Sequence, residues 1–294
     1  MRLRPRLPRG DRRWPVTVGL LLATVGLAAA GWWGYRTDQD SRELNIFLRT
    51  ATSQGRVDVA ATILRVDPST RQAQVRVQVT AEGAVADPGA PGAPAKTLEL
   101  FTTSASRGVL TYPAATQPPE QTINVPLTSG WPTDYPQDRY TLTLGFSARS
   151  DGQDVPVDLN VASYDSLFEL TTPEADATEP TSAVLNLTAR HTRGGWLLAW
   201  FLMCAAWALA LVVAGAAWIL VHERRGLVWP AFGWMAATLF ALVSLRNAAP
   251  GAPPIGSLID YMAFFWAELI VAASLVAAVV TGLRTERAAK RANG

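Results

Sequence analysis

Residues 139–161 have the sequence RYTLTLGFSARSDGQDVPVDLNV, and this stretch predicts how the polar part of the chain folds. Apolar and polar side chains alternate through its first half, which is the pattern of a β-strand with one buried face. Asp151 and Gly152 follow as a dipeptide typical of a two-residue hairpin turn. A second alternating segment completes a β-hairpin. Because Pro156 lacks an N–H donor, we expect this second strand, or its bulged part, to lie at a sheet edge.

The same alternation occurs elsewhere between residues 36 and 195. It is found in 57–66, 72–80, 96–104, 122–127 and 182–190. About seven to nine short strands with one apolar face each indicate an antiparallel β-sandwich. Two Pro-, Gly- and acid-rich segments, 82–95 and 174–181, are expected to be flexible, solvated loops.

Four apolar stretches are long enough to cross a bilayer, which takes about 20 residues. They are 15–35, 196–221, 227–245 and 262–283. The predicted fold is therefore membrane α + β, with four transmembrane helices and the β-sandwich of 36–195 inserted between the first and second. The first stretch also resembles a cleavable signal peptide. We expect a retained helix, because its apolar character continues to full spanning length.

Basic residues set the expected orientation. They are concentrated in 1–14, in the turn 222–226 and in the tail 284–294, whereas 246–261 contains one arginine. Because cytoplasmic flanks are enriched in Lys and Arg, both termini are predicted to be cytoplasmic. Residues 36–195 and 246–261 would then face the outside of the cell membrane, as parts of a multi-pass protein.

The residue types exclude most catalytic chemistry. His191 and His222 lie on opposite sides of the predicted membrane, and Cys204 is the single cysteine. Zinc sites and Ser–His or Cys–His dyads are therefore not expected in the outer domain. The pI of about 8.9 reflects basic flanks of apolar stretches and gives no argument for nucleic acid. We predict no catalytic, cofactor-binding or metal-binding residues, and no enzyme.

One candidate interaction region is the segment WPTDYPQDRY, residues 131–140. It places Tyr135, Asp138 and Tyr140 immediately before the best-defined strand. In one interpretation this is a structured turn, in which Asp138 accepts hydrogen bonds from backbone N–H groups and the tyrosines cover the core edge. In the other, these side chains contact a ligand.

The second candidate region is RNAAPGAPPIGSLIDY, residues 246–261, which is longer than a connector between two helices requires. We expect this loop to be ordered against the membrane-facing end of the sandwich through a stiff pair, Pro253 and Pro254. Arg246 and Asp260 would bracket the contact, and Ile255 would be buried in it. The alternative is an extended, solvated linker.

Glu268 lies within the fourth apolar stretch. A carboxylate exposed to lipid is costly, so Glu268 is expected to face the helical bundle or a water-filled cavity. Its role is either a structural hydrogen bond to a neighbouring helix or a functional one.

The motifs YPQDRY and LRNAAPGAPPIGSLIDYMAFFWAE, the exported β-domain and the basic tail together resemble the domain of unknown function 4436 family. That resemblance implies a bacterial multi-pass membrane protein with one exported β-domain and implies no mechanism. The expected partners are the lipid bilayer and a membrane or envelope protein. We hypothesise a non-enzymatic envelope protein whose β-domain binds a protein, lipid or cell-wall partner. The alternative is a sensor or transport component in which the β-domain regulates the helices.

Overall fold

The computed structural model describes residues 45–49, 55–172 and 181–292, and five positions nearer the N-terminus: Gly26, Ala29, Gly31, Trp32 and Arg36. Contacts divide the chain into two units, Met1–Ser41 and Arg42–Gly294. In the first unit the five described positions are helical. The rest of the predicted first span lies outside the described residues, as does the choice between a retained helix and a signal peptide. Most of the predicted loop 174–181 lies outside them too.

Two β-sheets make up the part of the second unit that precedes the helices, from Asn45 to His191. The described strands of the first sheet are, in spatial order, β1 (Asn45–Leu48), β11 (Val157–Ser163), β2 (Gly55–Asp67), β3 (Gln72–Gly83), β5 (Ala90–Pro94) and β4 (Ala86–Asp87), with β8 (Gln121–Pro126) also paired to β3. Those of the second are β12 (Phe168–Thr171), β13 (Ser182–His191), β9 (Arg139–Ser150), β6 (Leu98–Thr102) and β7 (Val109–Tyr112), with β10 (Gln153–Val155) also paired to β9.

One hydrophobic core lies between the two sheets, because alternate residues of each strand point inward. Val59 and Val75 come from the first sheet, and Leu144 and Leu185 from the second, and all belong to the same buried cluster. Leu144 lies opposite Leu185 in the β9–β13 pair, and both are fully buried. The two sheets therefore form a β-sandwich, as the alternation predicts.

The hairpin predicted at residues 151–152 is confirmed. Asp151 and Gly152 both have positive φ, 52° and 77°, as a two-residue hairpin turn requires. Gln153 pairs with Ser150 directly across this turn.

The expectation that the strand containing Pro156, or its bulged part, lies at a sheet edge holds for β10, which pairs with β9 alone among the described strands, and is wrong for β11. Pro156 interrupts the strand, and the chain crosses there from β10 in the second sheet to β11 in the first. A residue without an N–H fits this break, since it leaves no donor unpaired. β11 lies between β1 and β2 and is parallel to β2, so the sandwich is not entirely antiparallel.

The segment 82–95 is also different from the expected flexible loop. It contains the short strands β4 and β5, which pair with each other, and β5 also pairs with β3. Ala93 is fully buried, so part of this segment contributes to the interior of the domain.

The helices follow β13 in the chain. Helix α1 (Arg193–His222) and helix α2 (Trp229–Asn247) precede a π-helical turn, Asp260–Phe264, which continues into helix α3 (Phe265–Ala292). Two helical segments among the described residues, Arg193–His222 and Asp260–Ala292, are long and apolar enough to cross a membrane. Helix α2, the third predicted span, is not one of them; it has 19 residues.

Helix α1 packs through a line of mostly small side chains spaced three or four apart. These are Ala199, Met203, Ala206, Ala210, Val213 and Ala217. On α3, Ala267 and Val271 belong to the same buried cluster. Small residues let helix backbones approach closely, which is the usual packing mode of helices in membranes.

Candidate ligand site between the β-domain and the Pro–Gly loop

The turn before β9 positions the first group of candidate residues. A single 3-10 turn, Pro132–Asp134, leads to Tyr135, and β9 begins at Arg139. Gly130 is needed for this geometry, because its φ is +96° and a Cβ there would lie 2.2 Å from the carbonyl oxygen of Arg139. Glycine is the residue that accepts both the left-handed backbone and the close approach.

Asp138 is buried, and its carboxylate makes side-chain contacts. The Tyr140 hydroxyl donates a hydrogen bond of 2.6 Å to Asp138 Oδ2. The prediction that Asp138 accepts from neighbouring backbone N–H groups is wrong; no such bond to Asp138 occurs in the described part of the chain.

His191, the last residue of β13, lies beside the same carboxylate. Its Nε2 is 2.9 Å from Asp138 Oδ1, and the side chains of His191 and Asp138 are 4% and 2% exposed. The two atoms are close without the alignment of a hydrogen bond. The His191 ring is also surrounded by aromatic rings, with centroids of Phe168 at 4.5 Å and Tyr135 at 5.1 Å.

Sequence reasoning did not place His191 in this site. The signal was present in the strand register, because pairing of β13 with β9 sets Arg190 opposite Arg139 and so brings His191 next to Asp138. Finding it requires the pairing partner of β13, which the alternation alone does not identify.

Tyr135 connects the β-domain to the helices. Its side chain is 3% exposed and belongs to the buried cluster of the helical bundle, together with Ala249 and Ile259. The prediction that Tyr135 covers the edge of the β-domain core is therefore wrong in one respect: the ring packs against the helical cluster. Tyr140, in contrast, belongs to the core of the sandwich.

The Pro–Gly loop is held by an ion pair between its ends. Arg246 Nε and Nη2 each lie 3.0 Å from a carboxylate oxygen of Asp260, and the same guanidinium donates to the carbonyl oxygen of Pro254 at 2.9 Å. Asp260 also accepts from the backbone N–H of Gly256 at 2.8 Å. These bonds fix the loop in one conformation, in which Arg246 and Asp260 meet directly.

The apolar residues of the loop are arranged differently from the prediction. Ile255, expected to be buried, is 84% exposed, whereas Ile259 is fully buried. Pro253 is buried and Pro254 is exposed. The reason is geometric: Arg246 holds the Pro254 carbonyl inward, and the turn that follows, with Gly256 at φ +87°, leaves the Ile255 side chain on the outside.

A cavity of about 280 Å³ lies between the turn, the end of β13 and the Pro–Gly loop. Its walls are Pro68, Ser69, Pro132, Tyr135, Asp138, Tyr140, Phe168 and His191 from the β-domain and Gly251, Ala252, Pro253 and Pro254 from the loop. The structure thus brings together the two candidate regions, which are far apart in the sequence.

Three buried polar atoms around this cavity have no hydrogen-bond partner among the described residues. They are Tyr135 Oη, Asp138 Oδ1 and His191 Nε2. Burial, together with the nearby Asp138 charge, raises the pKa of Tyr135 above its ordinary value. Burial and the hydrogen bond to Asp138 raise the pKa of Tyr140 in the same way. Both phenols therefore keep their protons throughout the physiological range.

Glu268 does not belong to this site. It is half-buried on α3 and forms no hydrogen bond or ion pair with another described residue. The predicted structural hydrogen bond to a neighbouring helix is therefore not formed in the described part of the chain, and a functional role for Glu268 stays a prediction. Within the described residues, no group of three or more His, Cys, Asp and Glu is arranged to hold a metal ion.

Two protein-family models match the chain, and the boundary between the two matched segments lies at this site. Residues 48–189 match the model of a domain of unknown function, DUF4436. The β-domain belongs to the DUF4436 family. The expected resemblance over nearly the whole chain is too broad, because residues 191–285 match a second domain of unknown function, DUF8686. A comparison with curated proteins found no match.

The cavity is built from both matched regions. Tyr135, Asp138 and Tyr140 come from the DUF4436 segment, whereas His191 and the loop residues 251–254 come from the DUF8686 segment. The site is therefore a property of the combined chain, and neither segment contains all of its walls.

Proposed function

We propose that this chain is a non-enzymatic, multi-pass protein of the bacterial cell envelope whose extracytoplasmic β-domain binds a protein, lipid or cell-wall partner. The binding place is the cavity between the DUF4436 domain and the Pro–Gly loop. One observation carries the proposal: a cavity with walls from both parts of the chain is lined by Tyr135, Asp138 and His191, each of which has a buried polar atom without a hydrogen-bond partner among the described residues. Concave sites with apolar walls and a few polar groups are the usual ligand sites of proteins.

The outer surface of the helices supports a membrane location. Large apolar side chains there are exposed although the helices pack on one another; they include Leu197, Phe201, Leu211, Val212, Trp218 and Phe240. Such a surface is unfavourable in water and suits the lipid hydrocarbon. Membrane crossing by 196–221, 227–245 and 262–283, with 15–35 as a further span, is part of the proposal.

The distribution of arginine supports the topology. With 1–14, 222–226 and 284–294 in the cytoplasm, the β-domain and the loop 246–261 lie together outside the membrane. The contacts between Tyr135 and the helical cluster, and the shared cavity, fit this arrangement, since both require the domain and the loop on one side.

A second function, as a sensor or transport-associated component, is favoured by the connection between β13 and α1. A single residue, Thr192, separates the strand from the helix, and its Oγ1 accepts a hydrogen bond from the Gly195 N–H at 3.3 Å. Because His191 lines the cavity, a ligand there would contact a residue two positions before the start of α1. Movement at the site could then be passed to the helical bundle.

Affinity capture of the full chain from detergent-solubilised membranes, analysed by mass spectrometry of proteins and lipids, tests the proposed function. The comparison is with a chain in which residues 249–256 are replaced by a Gly/Ser linker, and the control is Val109→Ser, at an exposed position that does not line the cavity. We expect a partner retained by the wild type and by the control and lost with the linker. Identical profiles from all three would contradict binding at this place.

A further inference from the structure

Asp138 and His191 are the ionisable side chains, besides Tyr135 and Tyr140, that line the cavity. Asp138 is the only acidic residue among those that line it, and none of them is Lys or Arg. On the loop, Arg246 is paired with Asp260. Among the lining side chains, the Asp138 carboxylate therefore attracts a positive group and repels a negative one.

The unpaired atoms specify what that positive group must carry. An ionised carboxylate has no hydrogen to donate, so Asp138 Oδ1 acts as an acceptor. Tyr135 Oη also has a free acceptor position. His191 Nε2 lies 2.9 Å from Asp138 Oδ1 without the alignment of a hydrogen bond, so a ligand with several N–H groups can supply the aligned donor that this buried oxygen lacks. An ammonium group with three N–H donors can serve both oxygens at once.

The remaining walls suit the rest of such a ligand. The aromatic rings of Tyr135, Tyr140 and Phe168 line the cavity, and aromatic faces attract cations. Pro253 and Pro254 supply apolar surface on the loop side, against which an alkyl chain can pack. The volume, about 280 Å³, is close to the lower end of the range for small-molecule sites, about 300 Å³.

From these contacts we propose that the cavity binds a primary alkylammonium group, supplied either by a free amine or by the headgroup of an amine-containing phospholipid. The ammonium donates to Asp138 Oδ1 and Tyr135 Oη, and the alkyl part lies against the prolines. This inference rests on the proposed function and names the ligand class of its site. Because Tyr135 also packs with the helical bundle, the site lies close to the outer ends of the proposed spans, where lipid headgroups are found.

Three probes of similar size and different charge test the proposal on the full chain in phosphatidylcholine nanodiscs at neutral pH. They are butylammonium, 1-butanol and butyrate, measured by calorimetric titration and by the shift in melting temperature. Butylammonium should bind and raise the melting temperature, whereas the alcohol and the anion should not. Equal binding of 1-butanol, or no binding of butylammonium, would overturn the proposal.

Two variants assign the binding to the named atoms. Asp138→Asn removes the charge and Tyr135→Phe removes one acceptor, and we expect the first to weaken butylammonium binding by at least about tenfold and the second by a smaller factor. Asp134→Asn is the control, since Asp134 is an exposed acid of the same turn that does not line the cavity. Should Asp138→Asn fail to fold, Tyr135→Phe against Asp134→Asn decides the matter. Unchanged affinity in Tyr135→Phe would then contradict the assignment.

Nanodiscs containing phosphatidylethanolamine distinguish the two sources of the amine. A headgroup ligand should stabilise the wild type in these discs and should compete with added butylammonium, whereas a free amine should bind equally in both lipids. Failure of the amine series, combined with capture of a partner that depends on residues 249–256, would reject this inference and leave the proposed function standing.

Discussion

Strand β9 and helix α1 each bury one apolar face, yet their outward faces differ in composition. The outward residues of β9 are polar, including Thr141, Thr143 and Ser147, whereas those of α1 are large and apolar, including Phe201, Leu211 and Val212. The buried face reveals the period of the secondary structure. The outward face reveals the surrounding medium, which is water for the β-domain and, in our proposal, lipid for the helices.

The largest effect is expected in the core of the sandwich. Leu144→Ala removes a fully buried side chain and should lower the free energy of unfolding of the β-domain by about 2–5 kcal/mol. Thr143→Ala, on the other face of β9, removes one hydrogen bond to Asn186 and should cost about 1 kcal/mol. Denaturant unfolding of the full chain, followed by circular dichroism, compares them. Equal costs would mean that the inward and outward faces are wrongly assigned.

The second prediction tests whether the outward face of α1 contacts lipid, because a charge there should then be unfavourable. Leu211 is 61% exposed, and Leu211→Arg should disfavour insertion by about 2.5–3.5 kcal/mol if the residue faces lipid. Val184→Arg, at an exposed position of β13, should have little effect because that residue would face water. The measurement is the fraction of each variant in the membrane after carbonate extraction. Normal insertion of Leu211→Arg would contradict lipid exposure of this face.

A smaller effect is expected where the two regions meet. Arg246→Met leaves the buried Asp260 without its ion pair and should destabilise the loop by about 1.5–3 kcal/mol. Proteinase K should then cut the loop roughly ten- to a hundredfold faster, because each 1.4 kcal/mol is about a factor of ten. Arg225→Met disrupts an exposed pair with Glu223 and is the control, with little expected change. Similar cutting rates for both variants would indicate that the ion pair does not order the loop.

The smallest effect concerns the aqueous surface of the β-domain, at the turn between β2 and β3. Hydrogen bonds from Ser69 outweigh partial burial and hold the pKa of Asp67 below its ordinary value. Its contribution to stability is therefore present above its unfolded pKa of about 3.9 and is lost as the pH falls through the lower folded value. Asp67→Asn should remove that part of the acid dependence, worth less than about 1 kcal/mol in this exposed setting. Unfolding curves between pH 5 and pH 2 that superimpose for both proteins would rule it out.

Local sequence patterns predicted the strands, turns and helices well where a single dipeptide, or the spacing of apolar residues, determines the structure. The alternation in 72–80 predicted β3, and Asp151-Gly152 predicted the hairpin, because a two-residue turn fixes the register of the strands beside it. The apolar lengths of 196–221 and 262–283 likewise predicted two long apolar helices.

Contacts between distant segments could not be predicted in the same way. The crossing at Pro156 and the parallel pairing of β11 with β2 depend on which sheet each strand joins, and the alternation is the same in either sheet. The meeting of Asp138 with His191 depends on the β9–β13 register for the same reason. Ile255 was misplaced because apolar character predicts burial on average, whereas the bond from Arg246 to the Pro254 carbonyl decides the local geometry.

The central claim is that the β-domain and the Pro–Gly loop lie together outside the membrane, and cysteine labelling tests it most directly. In a Cys204→Ala background, single cysteines replace Ser106 in the β-domain, Ile255 in the loop and Glu223 in the turn after α1, all at exposed positions. A membrane-impermeant maleimide applied to intact cells should label Ser106→Cys and Ile255→Cys, and should label Glu223→Cys only after the membrane is permeabilised. Protection of Ile255→Cys in intact cells while Ser106→Cys is labelled would contradict the account, because the loop could not then share a cavity with the β-domain.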